Sequence, residues 1–314
     1  MSEATNAPSG SAPADVPTDM ESVFEKNWSI ATRDTGRLAL FAGDQKVEHL
    51  NDDFAGVSSL GPIASEDGDP EHLFRIASGG VIGAFATQLG LVAKYGLDYA
   101  DVPYIVKLNS KTHLLKGPEE DPRSLAWASV QDAVRLRERG LMIVGVGFTI
   151  YPGSRFESEQ FAEASRACLE AHREGLLAVV WAYPRGRAVA DERDAHLIAG
   201  AAGVGAALGA DFCKVNYPAD SEPEAFIESV RAAGRTGVIS AGGATVDARS
   251  FLQGLHDQLN IAGARGSATG RNIHQKPLDE AIRMTRAIAA ITYDSWNVDD
   301  ALDVFHGRRS YPLK

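Results

Sequence analysis

Lys214 lies where a lysine is costly. It sits in Ala210-Asp211-Phe212-Cys213-Lys214-Val215-Asn216-Tyr217-Pro218, an apolar run entered from a Gly-Ala-Asp turn and closed by a proline. The run predicts a buried strand, and strand alternation puts Phe212, Lys214 and Asn216 on one side. If that side faces a barrel interior, desolvation lowers the lysine pKa and frees the amine as a nucleophile. That is the chemistry of a Schiff base with a ketone. The plain alternative is an edge-strand lysine whose stem lies on the sheet while its head reaches water. Cys213 has the opposite parity and is expected to pack inertly against helices.

Other polar residues interrupt apolar runs in the same way. Asp44 ends the run from Leu38 and is followed by Lys46, Glu48 and His49. Ile105, Lys107 and Asn109 share one strand face, as do Trp181, Tyr183 and Arg185. Isolated polar groups inside apolar strands are expensive unless they meet one another, so these are expected to converge. Lys107 has two readings: a cation paired with Asp44, or a like charge that depresses the Lys214 pKa. Tyr183, beside Arg185 at a strand end, is read as an acid/base residue rather than a core tyrosine with a satisfied hydroxyl. Trp181 is read as a pocket wall. The turns at Gly242-Gly243 and Gly270-Arg271 suit a phosphate, because small residues expose backbone N–H groups and Arg271 offers a fork of donors. The eight histidines are scattered without ligand spacing, so no metal is expected even at Glu48-His49.

The elements that must position these groups form a repeating pattern. Apolar runs at 38–44, 80–87, 103–109, 141–150, 176–184, 210–218, 237–243 and 261–266 alternate with helical patterns at 122–138, 157–174, 191–208, 222–233, 246–258 and 277–293. Eight such units in about 250 residues predict a single-domain (β/α)8 TIM barrel, with chemistry at the carboxyl ends of its strands. An open doubly wound sheet would show GxGxxG after its first strand; here that place reads Gly43-Asp44-Gln45-Lys46. Residues 1–20, rich in Ser, Ala, Pro and Thr, are expected to be a disordered tail. Residues 21–314 then form the barrel, with a helix from Glu21 to about Ala31 packed on it as a lid.

Composition excludes some partners. Forty-two acidic against 31 basic residues give a net charge of −11, which argues against nucleic acid and membrane surfaces. No apolar run reaches membrane-span length and no secretory pattern opens the chain. Two cysteines without a CxxC fit a reduced, cytoplasmic setting.

The segments FAGDQKVEHL, PYIVKLN, FTIYPGS, VVWAYPRG, GADFCKVNYP, ISAGGA and ATGRNIHQ, in this order, resemble the archaeal-type (DhnA-like) class I fructose-bisphosphate aldolases from about Leu38 to Thr292. The resemblance implies a Schiff-base lysine at Lys214, an aspartate at Asp44 and a proton-transfer tyrosine at Tyr183, with Trp181 and Arg185 alongside. It implies a phosphate held by Gly242, Gly243, Gly270 and Arg271. Lys107, Lys46 and His49 are grouped with the substrate-binding residues. The implied reaction is reversible cleavage of fructose 1,6-bisphosphate to dihydroxyacetone phosphate and glyceraldehyde 3-phosphate, with no metal or other cofactor. The expected partners are a phosphorylated ketose and an aldehyde, and the expected assembly is a homo-oligomer. Two residues depart from the family pattern. Lys46 replaces the glycine of D-x-G-V-E-H, and Ala241 replaces a serine. Related members make other sugar phosphates, among them 6-deoxy-5-ketofructose 1-phosphate synthase, which Lys46 brings closer, and 2-amino-3,7-dideoxy-D-threo-hept-6-ulosonate synthase. A non-catalytic sugar-phosphate-binding barrel is the alternative of another class; intact Asp44, Tyr183 and Lys214 argue against it.

Overall fold

Runs of β-branched and aliphatic residues between amphipathic helices can only be buried on both faces, and that demands a parallel sheet covered by helices. The computed structural model, which describes residues 11–114, 121–218 and 222–312, closes that sheet into a ring. Its strands are β1 (Leu38–Ala42), β2 (Ala84–Gln88), β3 (Tyr104–Lys107), β4 (Ile143–Ile150), β5 (Leu177–Ala182), β6 (Phe212–Val215), β7 (Gly237–Ala241) and β8 (Gly266–Thr269). Each pairs in parallel with its sequence neighbours, and Leu38↔Gly266 closes β1 onto β8. The chain is thus a single-domain TIM barrel, as expected.

Strand alternation sorts the core into two layers. Leu38, Leu40, Ile105, Val179, Phe212 and Ile239 pack inside the ring. Phe41, Val106, Val180, Cys213 and Val238 face the helices. Cys213 is fully buried there, as its parity predicted. The interior has little room. A Cβ on Gly147 would lie 2.5 Å from the Trp181 ring and 3.0 Å from Lys107 Cδ, so glycine at this position lets β4 accommodate both side chains. Gly266, at φ 136°, lets β8 approach the Leu38 backbone at the closure.

Three expectations need correction. The eighth strand is not Ile261–Gly266 but begins at Gly266; Ile261 caps the preceding helix half-exposed, and Gly263 at φ 76° turns the chain. The helix foreseen from Pro122 starts only at Val130, where Ser129 and Asp132 form a capping box. A further helix, Val298–Phe305, follows the helix Leu278–Asp294 and starts at an Asn297 cap.

The N-terminal helix Glu21–Thr32 closes the bottom of the barrel, opposite the strand carboxyl ends. Trp28 stacks on Phe212 with ring centroids 5.1 Å apart. Residues 11–20, which composition placed in a disordered tail, form turns against this floor; Val16 is buried, and residues 1–10 lie outside the described chain. Polar composition hid a clamp. His172 Nδ1 pairs with Asp15 at 2.8 Å and Nε2 with Asp211 at 3.2 Å. Burial opposes the imidazolium, but the two carboxylates outweigh it and raise the pKa from 6.5 to about 9. A raised folded-state pKa stabilises fully below the unfolded value, and that stability is lost as pH rises from about 6.5 through about 9. His172→Asn is therefore expected to melt below wild type at pH 6, with the gap narrowing by pH 9.5. Paired thermal melts check it; a gap independent of pH would refute the clamp.

Candidate active site

At the carboxyl ends of the strands a cavity of about 300 Å³ gathers most of the predicted residues. Lys214, Tyr183, Arg185, His49, Gly242, Gly243, Gly270 and Arg271 line it, joined by Glu48, His113 and Arg193. A larger cavity, about 840 Å³, opens at the opposite end beside Arg33 and Tyr293 and contains none of these groups. Chemistry rather than size selects the site.

Beneath the cavity lies a buried polar layer built from strand ends. Lys107, fully buried on β3, donates to Thr149 Oγ1 at 2.6 Å and stands 3.8 Å from Asp44. Its ammonium is 3.7 Å from the Trp181 ring centroid, and Lys214 Nζ is 5.4 Å from the same ring. Trp181 is therefore the floor under both lysines rather than a wall; it has no exposed surface. Burial pushes the Lys107 pKa down to about 8, with Lys214 adding to the effect and Asp44 and Glu48 opposing it. The ion-pair reading of Lys107 matches its 3.8 Å approach to Asp44.

Several buried polar atoms here have no hydrogen-bond partner: both Asp44 carboxylate oxygens, Glu48 Oε1, Trp181 Nε1 and the Tyr151 hydroxyl. Such atoms are rare and costly in a folded protein, and their concentration at one place marks a site built for polar ligand groups. Burial, then the Asp44 charge, raises the Glu48 pKa, while Lys107 and Lys214 oppose. Burial raises the Tyr183 pKa well above a free phenol, and the Glu48 and Asp44 charges add to it. The resting phenol is protonated.

The glycine turns and Arg271 line the same cavity. Gly243 has φ 66° and open space where a Cβ would be. A Cβ on Gly270 would collide with the Gln45 amide. Asn272 ties the two loops together by donating to the carbonyls of Gly242 (2.9 Å) and Ala244 (3.0 Å) and accepting from the Val246 N–H (3.0 Å). Asp53 pairs with His49 Nδ1 at 2.8 Å and approaches Arg271 at 3.6 Å, so it holds both side chains. Arg185 is engaged by Glu192 through two 2.7 Å hydrogen bonds.

Lys46 is placed differently from the expectation. Its ammonium does not line the cavity; it donates to the carbonyls of Gly68 (3.1 Å) and Asp67 (3.4 Å) and lies 3.8 Å over the Phe54 ring. It follows Asp44 in a one-turn helix, Gln45–Glu48, whose rotation points it outward to segment 65–68. Lys46→Met is therefore expected to cost about 1–2 kcal/mol of stability. It should leave the ratio of kcat/KM for two aldehyde acceptors, glyceraldehyde 3-phosphate and methylglyoxal, unchanged. A shift of that ratio by tenfold would return Lys46 to the substrate site.

Sequence reading undervalued Glu48 and missed His113 and Arg193 as pocket residues. The E-H pair within FAGDQKVEHL was the available signal for the first. His113 comes from the loop after β3, and its backbone N–H donates to the Glu48 carbonyl at 2.8 Å. Nothing local marked that contact.

Comparison with known proteins agrees with this architecture. Residues 38–276 match the model of the DeoC/LacD family aldolases. A fructose-bisphosphate aldolase/6-deoxy-5-ketofructose 1-phosphate synthase of Methanocaldococcus jannaschii is 58% identical over 95% of this chain and 94% of its own. A fructose-bisphosphate aldolase structure from Slackia heliotrinireducens is 51% identical, covers 96% of both chains and superposes with a TM-score of 0.93. An archaeal fructose-1,6-bisphosphate aldolase, solved with its catalytic lysine covalently bound to the carbinolamine intermediate of its substrate, is 34% identical. It covers 86% of this chain and 99% of its own, with a TM-score of 0.74.

Proposed function

The chain belongs to the DeoC/LacD family of aldolases, and we propose that Lys214 is the residue through which it works. It is a class I, Schiff-base fructose-bisphosphate aldolase, a lyase. The observation that carries the residue assignment is the convergence of Lys214, Tyr183, the two glycine turns and Arg271 on one cavity over the Asp44–Lys107 layer.

Chemistry assigns the steps. The unprotonated Lys214 amine attacks the C2 ketone, and loss of water from the carbinolamine gives an iminium. The iminium draws electrons from the C3–C4 bond, which breaks to an enamine and an aldehyde. In condensation, protonated Tyr183 delivers its proton to the aldehyde oxygen as the bond forms. In cleavage, Tyr183 relays the C4 hydroxyl proton toward Asp44 and Glu48, the carboxylates whose charges it feels. Gly242, Gly243, Gly270 and Arg271 hold the ketone-side phosphate. Arg185, braced by Glu192, faces the far end.

A second product has specific support. The relative at 58% identity also carries the name of 6-deoxy-5-ketofructose 1-phosphate synthase. Cutting that product between C3 and C4 leaves dihydroxyacetone phosphate and methylglyoxal. The same enamine would serve both acceptors. Incubation with fructose 1,6-bisphosphate in EDTA should release dihydroxyacetone phosphate, and condensation with methylglyoxal tests the second acceptor. Loss of cleavage restored by a divalent cation would sink the Schiff-base assignment.

A further inference from the structure

We propose that Glu48, His49 and His113 form a binding site for a zinc-like divalent cation at the mouth of the catalytic cavity, and that a cation there excludes the sugar phosphate. The exclusion rests on the active-site reading above; the binding does not. Sequence spacing gave no ligand set, because His113 arrives from another strand's loop. Folding brings one ligand atom from each of the three residues within 4.8 Å of the others. Tetrahedral zinc at its usual bond lengths needs donors about 3.3 Å apart, so the three side chains must draw together as the ion binds.

Four observations mark this trio as more than a chance meeting. Glu48 is buried, and its Oε1 has no hydrogen-bond partner. The His49 and His113 rings lie 4.7 Å apart at 43°, a tilt rather than a stack. His49 Nδ1 lies 2.8 Å from the Asp53 carboxylate, which leaves Nε2 as the ring nitrogen turned away from that contact. A carboxylate behind a histidine is the usual support of a metal ligand. The main-chain bond from His113 to Glu48 fixes the two segments together. Two imidazoles and one carboxylate leave a fourth position open, a donor set that suits zinc rather than magnesium or calcium.

Nearby cations set the opposing charge. Arg185 Nη1 donates to His113 Nε2 at 3.4 Å, a bond that a cation taking this nitrogen would replace, while Glu192 balances the guanidinium charge. Arg271 is balanced by Asp53, and Lys107 by Asp44. Lys214 and Arg193 also line the cavity, together with all three ligands. Cation and substrate thus compete for the same space.

The test uses the metal alone first. Full-length protein stripped with EDTA is titrated with Zn²⁺ by calorimetry, and with Co²⁺ by its visible absorption. One ion per chain is expected, with tetrahedral Co²⁺ bands. Loss of a second-shell partner costs roughly 10–100-fold in metal affinity, so His113→Asn and Glu48→Gln should each lose at least that much. Zn²⁺ should raise the KM for fructose 1,6-bisphosphate without lowering kcat, and EDTA should reverse it. Absence of stoichiometric zinc, or binding equal in both variants and wild type, overturns the site. Zinc that binds and leaves KM unchanged overturns the competition. A protein that binds zinc but never cleaves sugar phosphates would instead sink the aldolase reading.

Discussion

Lys214→Met is expected to remove turnover by roughly 10⁵–10⁶-fold, the scale seen when a covalent nucleophile is deleted. Methionine keeps most of the aliphatic stem while deleting the amine proposed to form the imine. The largest alternative is Lys107, equally inside the barrel and nearer the indole, at 3.7 against 5.4 Å. Geometry separates them. Lys107 is sealed under the layer by Thr149 and Asp44, whereas Lys214 lines the cavity where the ketone must arrive. Borohydride reduction with dihydroxyacetone phosphate should therefore add a stable mass to the Lys214 peptide in wild type and to none in Lys214→Met. A label on Lys107 or Lys46 with Lys214 unmodified would reverse the assignment.

The legible part of this site was the part written along single strands. Alternation alone put Phe212 and Lys214 inside and Cys213 outside, because a strand fixes the direction of each side chain relative to its neighbour. It likewise kept Ile105 and Lys107 on one face. What was illegible depends on loops meeting in space. Lys46 is grouped with the substrate-binding residues by resemblance, but a single helical turn after Asp44 directs it to Phe54. Asn272 locking the Gly242 turn, Asp53 bridging His49 to Arg271, and His113 reaching Glu48 each join loops that follow different strands. The missed order in residues 11–20 has the same origin: Val16 and Asp15 find the barrel floor and His172 only once the barrel exists. The boundary error at β8 was of another kind. Gly266-Ser267-Ala268-Thr269 lacks bulky apolar residues, since it runs where the ring closes tightly against β1 and β7, so hydrophobicity pointed to the wrong side of Gly266.

Tyr183→Phe is the sharper test of mechanism, because it separates two steps that Lys214→Met removes together. Phenylalanine keeps the ring and its packing against the interior layer while deleting one hydroxyl. Imine formation needs only Lys214 and a ketone, so borohydride trapping with dihydroxyacetone phosphate should continue. Bond cleavage needs a proton to leave the C4 hydroxyl, and condensation needs one delivered to the aldehyde oxygen. Loss of a positioned acid/base group costs roughly 10²–10⁴-fold. The phenol suits this role because burial and the Glu48 and Asp44 charges hold its proton firmly in the resting state. In condensation it gives that proton up to the strongly basic oxygen that develops in the transition state. The expected result is a fall in kcat of that size for cleavage and for condensation alike, with trapping intact. Turnover near wild type would make Tyr183 a packing residue and move the proton path to Glu48 and Asp44; loss of trapping together with turnover would place Tyr183 in imine formation instead.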